Sequence, residues 1–385
     1  MGSSSVKVRG TSWLRLLMTL CRWMGVSPPT ERFRYVHLVW SLMLLACVWT
    51  ATINRMITMK FHEKVLTIQK LFYFAEYPAN MFMTATFSLR VYRSANFYRR
   101  LWFQLQRQQV HLFENAGETE ELYTRFGSHV LLWLLVVLIF NGICAIVDSA
   151  WLHFYWPLAV PSFGAHVLPS IMISLCLLQY VMMQQFLSLL YMQLNKRVAQ
   201  LQLPPNGLRI RTISCSEVEF KLEQLRLVYV ALEEVQTMLL YRFGMVLLLN
   251  FANSLLSFSY EMFNMFRLLE LAKWKDWVLY SYRSLWLLLH GSRVWFVLKV
   301  NERIAEQKHQ LCLFLNKLDA SDAHLERVVN HFLVQLQANM SQPLAVCGVV
   351  DLDTLAVGGF INALMAIVIF LIQMDLGNKS LMGFV

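Results

Sequence analysis

From Thr354 to Gln373 the chain carries no charged side chain. About 20 apolar residues is the length of helix that crosses a bilayer. The run is not uniformly apolar. Asp351, Asn362 and Gln373 recur at intervals of eleven residues, close to three whole helical turns, so on one helix they form a single stripe. Gly358, Ala366 and Ile369 fall on or near it. Polar groups are costly against lipid, so the stripe is expected to face protein or water. Two readings stay open: pore lining, or helix packing through Gly358, Gly359, Ala363 and Ala366 with cross-helix bonds from Asn362 and Gln373.

Further long apolar blocks lie upstream. The chain of 385 residues is 57% hydrophobic and 15% charged, against about 25% charged for soluble domains. This composition predicts an all-α, polytopic membrane protein. Six more spans are expected near 35–54, 66–89, 129–148, 166–191, 239–262 and 276–300. The second is interrupted by Lys70, Glu76 and Pro78, and the sixth by Arg283, His290 and Arg293. Residues 1–34 form a basic arm with Trp13, Leu16, Leu17, Leu20 and Trp23 in an amphipathic pattern suited to a lipid surface. Segments 90–128, 192–238 and 301–349 are polar and helical in period, so spans four and five are expected to continue past the membrane. The loop 151–164 has no Lys or Arg and is rich in aromatics, as at a membrane interface.

Of 34 Lys and Arg residues, 22 lie in the N-terminal arm and the loops after spans two, four and six; only 7 lie on the other side. The positive-inside rule then puts the N-terminus in the cytoplasm and, with seven spans, the C-terminus outside. The same rule accounts for the net charge of +10 without nucleic acid. No cleavable leader is expected. The seven cysteines lack C-x-x-C spacing and read as buried thiols. Of the two glycosylation-like sequences, Asn339 falls on the cytoplasmic side and Asn378 against the membrane, so neither is expected to be used. No Walker loop, zincin or nucleophile-elbow motif occurs, which argues against an enzyme and against a cofactor.

Arg283 and His290 are seven residues apart and share a helical face with Trp286 between them. Arg283 can pair with Glu76, since charges inside a membrane usually find a partner. With Tyr73, Tyr77 and Tyr280 these groups outline a small-molecule pocket of aromatic walls and a polar floor. A structural ion pair, or charges facing water, is the alternative.

Seven spans, an inside N-terminus, long helical inner loops and a short outer tail resemble the insect gustatory receptors. That family carries Thr-Tyr, five hydrophobics and Gln-Phe in its last span. Here Ala366 and Ile367 stand for Thr and Tyr, VIFLI gives the five hydrophobics, Gln373 is kept, and Met374 stands for Phe. Gly348, Asp351 and Asp353 are similar to the family's entry into that span. The resemblance implies a ligand-gated cation channel in the plasma membrane of sensory neurons, related to insect odorant receptors. It implies homo- or heterotetramers with the last span (350–374) lining the pore, and Ile369 and Gln373 near a gate. Residues 301–349 would join inner helical extensions in an anchor, 35–300 would hold the tastant, and 375–385 would be an outer tail. Bitter compounds fit the length better than sugars. A G-protein-coupled receptor and a secondary transporter remain alternatives; the second would want repeated broken helices, and the chain shows none.

Overall fold

The computed structural model describes residues 10–28, 34–58, 67–92, 95–113, 116–202, 215–270, 277–318, 323–341, 344–352 and 355–382. They are almost entirely helical. In chain order the helices are α1 (Gly10–Trp23), α2 (Arg34–Thr58), α3 (Thr67–Tyr92), α4 (Ala95–Leu112), α5 (Ala116–Trp151), α6 (Trp156–Ser162), α7 (Leu168–Gln202), α8 (Cys215–Glu270), α9 (Trp277–Asn316), α10 (Ala323–Ser341) and α11 (Leu355–Met382). A π-helical turn, Phe163–Val167, joins α6 to α7.

Among the described residues, five helical segments are long and apolar enough to cross a membrane: 34–58, 117–151, 156–201, 216–270 and 356–377. The remaining two of the seven expected spans are α3 and α9, which carry the ionic groups. Both pack against α7 and α8. A spanning helix whose charges face neighbouring helices need not be apolar all round. Inner and outer below follow the charge asymmetry of the sequence.

The bundle is built around α7. Its most apolar stretch is 83% buried, against 17% for those of α2 and α11. A helix apolar on every side belongs in the middle of a bundle. Around it stand α8 and α9, with α5 on one flank and α3 on another. Tyr180, Phe186, Leu190, Tyr191 and Leu194 fill its centre.

The amphipathic arm is helical, as its pattern predicts, but it does more than lie on a surface. Leu17 and Cys21 are fully buried, and α1 packs on α5 and α7. Trp13, Leu16 and Trp23 stay exposed on its other side. The helix closes in a Schellman turn: Val26 N–H donates to Cys21 O at 2.8 Å and Gly25 N–H to Arg22 O at 3.0 Å. Gly25 sits at φ +69°, where its absent side chain also makes room for Ser41.

At the inner end, α7, α8 and α9 run on as a second layer joined by α10. Leu325, Val329, Phe332 and Leu336 form the buried stripe of α10. Lys308 reaches Glu233 at 2.6 Å and Gln236 at 2.8 Å, and the Tyr191 hydroxyl donates to Glu233 at 2.6 Å. Asn339, one of the glycosylation-like asparagines, donates to the Tyr229 hydroxyl at 3.0 Å inside this layer.

A two-residue hairpin, β1 (Ala345–Val346) with β2 (Val350–Asp351), leads into α11. Asp351 is therefore in a strand, not on the helix with Asn362 and Gln373. Cys347 and Gly348 adopt positive φ values of 51° and 69° and turn the chain there. At its other end α11 continues to Met382, so part of the segment expected as a tail is helical. Asp375 within it is buried beside Arg267 of α8 at 3.9 Å.

Candidate functional site

Four helix ends converge at the outer side. α3 and α9 begin there, α8 ends there, and the π turn feeds α7 there. Pro78 interrupts the hydrogen-bond ladder of α3 just past Tyr77. The π turn adds a residue to one helical turn and turns His166 into the bundle, where it is 6% exposed. Gly164 allows α2 to close on this turn: a Cβ there would lie 2.6 Å from the Cβ of Ala51.

The side chains that meet are Glu76 and Tyr77 from α3, His166 from the π turn, Glu261 from α8, and Arg283, Trp286 and His290 from α9. His166 Nε2 is 3.2 Å from the Tyr77 hydroxyl, and their rings are 5.0 Å apart. The other ring nitrogen of His166 faces Glu76 at 3.8 Å. Trp286 stacks on His290 with centroids 6.1 Å apart and meets His166 and Tyr282 edge-on, each at 6.3 Å. Tyr282 in turn stacks on Trp151.

Arg283 corrects the sequence reading. Its partner is Glu261, whose two oxygens each lie 2.8 Å from one guanidinium nitrogen; Glu76 is not the residue it grips. Tyr260 and Tyr282 place ring faces 5.8 and 5.4 Å from the guanidinium carbon, a further source of attraction for a cation. Glu76 and Glu261 both lie near outer helix ends, so sequence depth does not separate them; helix rotation decides.

Tyr77, Trp286 and His290 are buried in the cluster, and Glu76 keeps 17% of its side chain exposed. Tyr280 is half-buried three residues before Arg283, and the ring that meets Trp286 is that of Tyr282. Tyr73 lies on α3, and its side chain falls outside the described residues. Sequence reasoning missed Glu261, His166 and Tyr282. Glu261 had a signal: it is the single acid between Leu239 and Met262, and an acid within a span is a functional candidate by default.

Among the described residues, Trp286 Nε1 and His290 Nδ1 are buried without a protein hydrogen-bond partner. Buried polar atoms are normally satisfied, and leaving one unmet costs about 1–3 kcal/mol. Seven residues inward of Trp286 on the same helix, Arg293 is held by Ser170 and Ser174 of α7 at 2.7–2.9 Å. Ser170 donates onward to Asn141 of α5 at 3.0 Å. This second polar group borders a cavity of about 300 Å³ between α5, α7 and α9.

On α11, Leu364, Val368, Leu371 and Asp375 are buried at helical spacing, and the helix packs on α8. Gly358, Asn362, Ala366, Ile369 and Gln373 are exposed on the other side. Asn362 and Gln373 thus share a face, as their spacing requires. Asp351 instead lines a cavity of about 500 Å³ between α8, α9, the hairpin and the start of α11.

The family model described as "7tm Chemosensory receptor" matches residues 14–378. A Drosophila melanogaster relative, "Putative gustatory receptor 59e", is 39% identical over 389 residues, spanning 96% of each chain. A second, "Putative gustatory receptor 59f", is 23% identical over 380 residues, spanning 96% of this chain and 88% of its own. The insect olfactory receptor OR5 from Machilis hrabei superposes with a TM-score of 0.69 at 12% identity, covering 94% of this chain and 98% of its own. Its structure in complex with eugenol gives 0.63 over the same shares. At 12% identity this likeness is one of fold. The chain belongs to the 7tm chemosensory receptor family, as a multi-pass gustatory-type receptor of the membrane and not an enzyme.

Proposed function

We propose that the chain is one subunit of a ligand-gated cation channel that detects small-molecule tastants, bitter compounds among them, at the plasma membrane of sensory neurons. Four subunits, identical or related, would surround a pore lined by α11. The observation that carries the reading is the division of α11 into a face buried on α8 and a face exposing Asn362, Ile369 and Gln373. Repeated around an axis, such a face gives rings of amide groups and a ring of isoleucine, and hydrophobic rings gate by dewetting. The ligand would enter the outer cluster of Tyr77, His166, Arg283, Trp286 and His290. A relative in fold, OR5, has been solved with the small aromatic molecule eugenol. α8 contributes Glu261 to that cluster and also packs on α11, so one helix touches both proposed sites.

The test combines recording with accessibility. In cells whose G-protein signalling is blocked, a tastant that activates this receptor should still evoke a cation current. Cysteines placed at Asn362 and Gln373 should react with water-borne thiol reagents, and cysteines at Leu364 and Leu371 should not. Loss of the current under the block would favour a G-protein-coupled receptor. Protection of both exposed-face cysteines would remove α11 from the pore.

A further inference from the structure

We infer that the outer cluster selects a cationic ligand, a protonated or quaternary amine on an aromatic skeleton, with Glu76 as its counter-ion. The inference rests on the reading of that cluster as the ligand site.

Among the described residues, Glu76 and Glu261 have the single guanidinium of Arg283 between them. Glu261 has Arg283 at 2.8 Å. Asp148, the next acid, has Arg55 and Ser162 beside it as well as His166. Arg293, the next cation inward, is engaged by Ser170 and Ser174. Glu76 faces His166 at 3.8 Å, beyond hydrogen-bond length, with His290 and the Glu261-bound Arg283 also within electrostatic reach. One guanidinium shared by two carboxylates leaves the pair short of a positive charge, and an undercompensated carboxylate in low dielectric is expensive.

A ligand cation can supply what the protein does not. The ring faces are already assembled. Tyr77 and Trp286 flank His166 on two sides, and Tyr282 adjoins Trp286. Aromatic faces beside a carboxylate are the usual setting for recognising ammonium groups. The indole N–H of Trp286, 6% exposed as a residue and without a protein partner among the described residues, asks for an acceptor on the same ligand. A cationic nitrogen, an aromatic ring and one ether or carbonyl oxygen would meet all three features. Neutral or anionic aromatics would leave Glu76 unmet.

Choline phenyl ether carries these three groups. Its carbon isostere, (3,3-dimethylbutoxy)benzene, differs only in lacking the charge. Binding of tritiated choline phenyl ether to the full chain in lipid nanodiscs should be saturable, and the isostere should displace it at least tenfold more weakly than the unlabelled cation. Glu76→Gln should weaken the cation at least tenfold and leave the isostere unchanged, and Glu76→Asp should recover part of the loss. If Glu76→Gln does not fold, the comparison of cation with isostere on the native chain decides. Equal competition by the isostere, or an unaltered Glu76→Gln, overturns the charge assignment. If in that case Trp286→Ala still abolishes binding of both compounds, the cluster remains the ligand site. No saturable binding overturns the inference. Binding indifferent to both Glu76→Gln and Trp286→Ala overturns the site itself.

Discussion

One nitrogen of Arg283 on α9 lies 2.8 Å from both carboxylate oxygens of Glu261 on α8. The contact fixes the rotation of two long helices against each other at the outer end. Side chains here keep only 19% and 9% of their surface, so removing one partner strands a buried charge. That loss costs about 3–5 kcal/mol. Glu261→Ala and Arg283→Ala should each lower the unfolding temperature in detergent clearly. The pair Glu261→Gln with Arg283→Met should lose less than the two alanine variants summed. Additive losses would show that the two groups do not act as a pair.

The approach of Gly164 to Ala51 leaves no room for a methyl group. With a Cβ 2.6 Å from its neighbour, Gly164→Ala should cost about 1–3 kcal/mol, the usual penalty for overpacking. Ala51→Gly added to it should restore most of the stability. The check is thermal unfolding of the single and double variants. Failure of the rescue would mean that α2 and the π turn do not meet as described.

In the inner layer, Lys308 holds Glu233 and Gln236. Lys308→Met removes the cation and leaves Glu233, half-buried, beside Tyr191. A loss of about 3–5 kcal/mol is expected, and Glu233→Gln in the same chain should return part of it. If subunits assemble through this layer, the single variant should also shift the oligomer toward smaller species on native electrophoresis.

Asn250 is 1% exposed, and neither amide atom has a protein partner among the described residues. Replacing unmet polar groups with apolar ones of similar shape is close to neutral or stabilising. Asn250→Leu should therefore unfold at or above the native temperature. A drop of several degrees would show that the amide is bonded, to water or to another chain.

Asp375 sits where α11 meets Arg267 of α8. Asp375→Asn weakens that link without changing shape. Changes of this kind alter coupling by about 0.5–2 kcal/mol, so the ligand-free current should rise by roughly 2- to 30-fold. Patch recording at matched surface expression checks it, and an unchanged baseline would separate this link from gating.

Much of the bundle was legible because long apolar runs leave few alternatives. The eleven-residue interval placed Asn362 and Gln373 on one face, and the structure has them there. It failed for Asp351, because the interval assumes one helix, and the turn at Cys347 and Gly348 breaks it with positive φ. Arg283 was recognised as needing an acid, but its acid was misassigned. Both Glu76 and Glu261 lie at the right depth, and only the packing of α3 and α8 around α7 selects one. His166 was hidden by the π turn, which shifts the helical phase by an amount that residue spacing does not reveal. The Schellman turn after α1 has a local signal in Gly25, one the sequence reading did not use.

α8 has 56 residues without a break, a length of about 84 Å at 1.5 Å per residue. Such a helix has no joint between Glu261, near one end, and Arg226, near the other. It behaves as a drive shaft. A twist imposed at the outer end is delivered to the inner layer in the same sense, and a tilt about the membrane centre swings the two ends in opposite directions. The arms are long enough that a few degrees at the shaft displace either end by several ångströms.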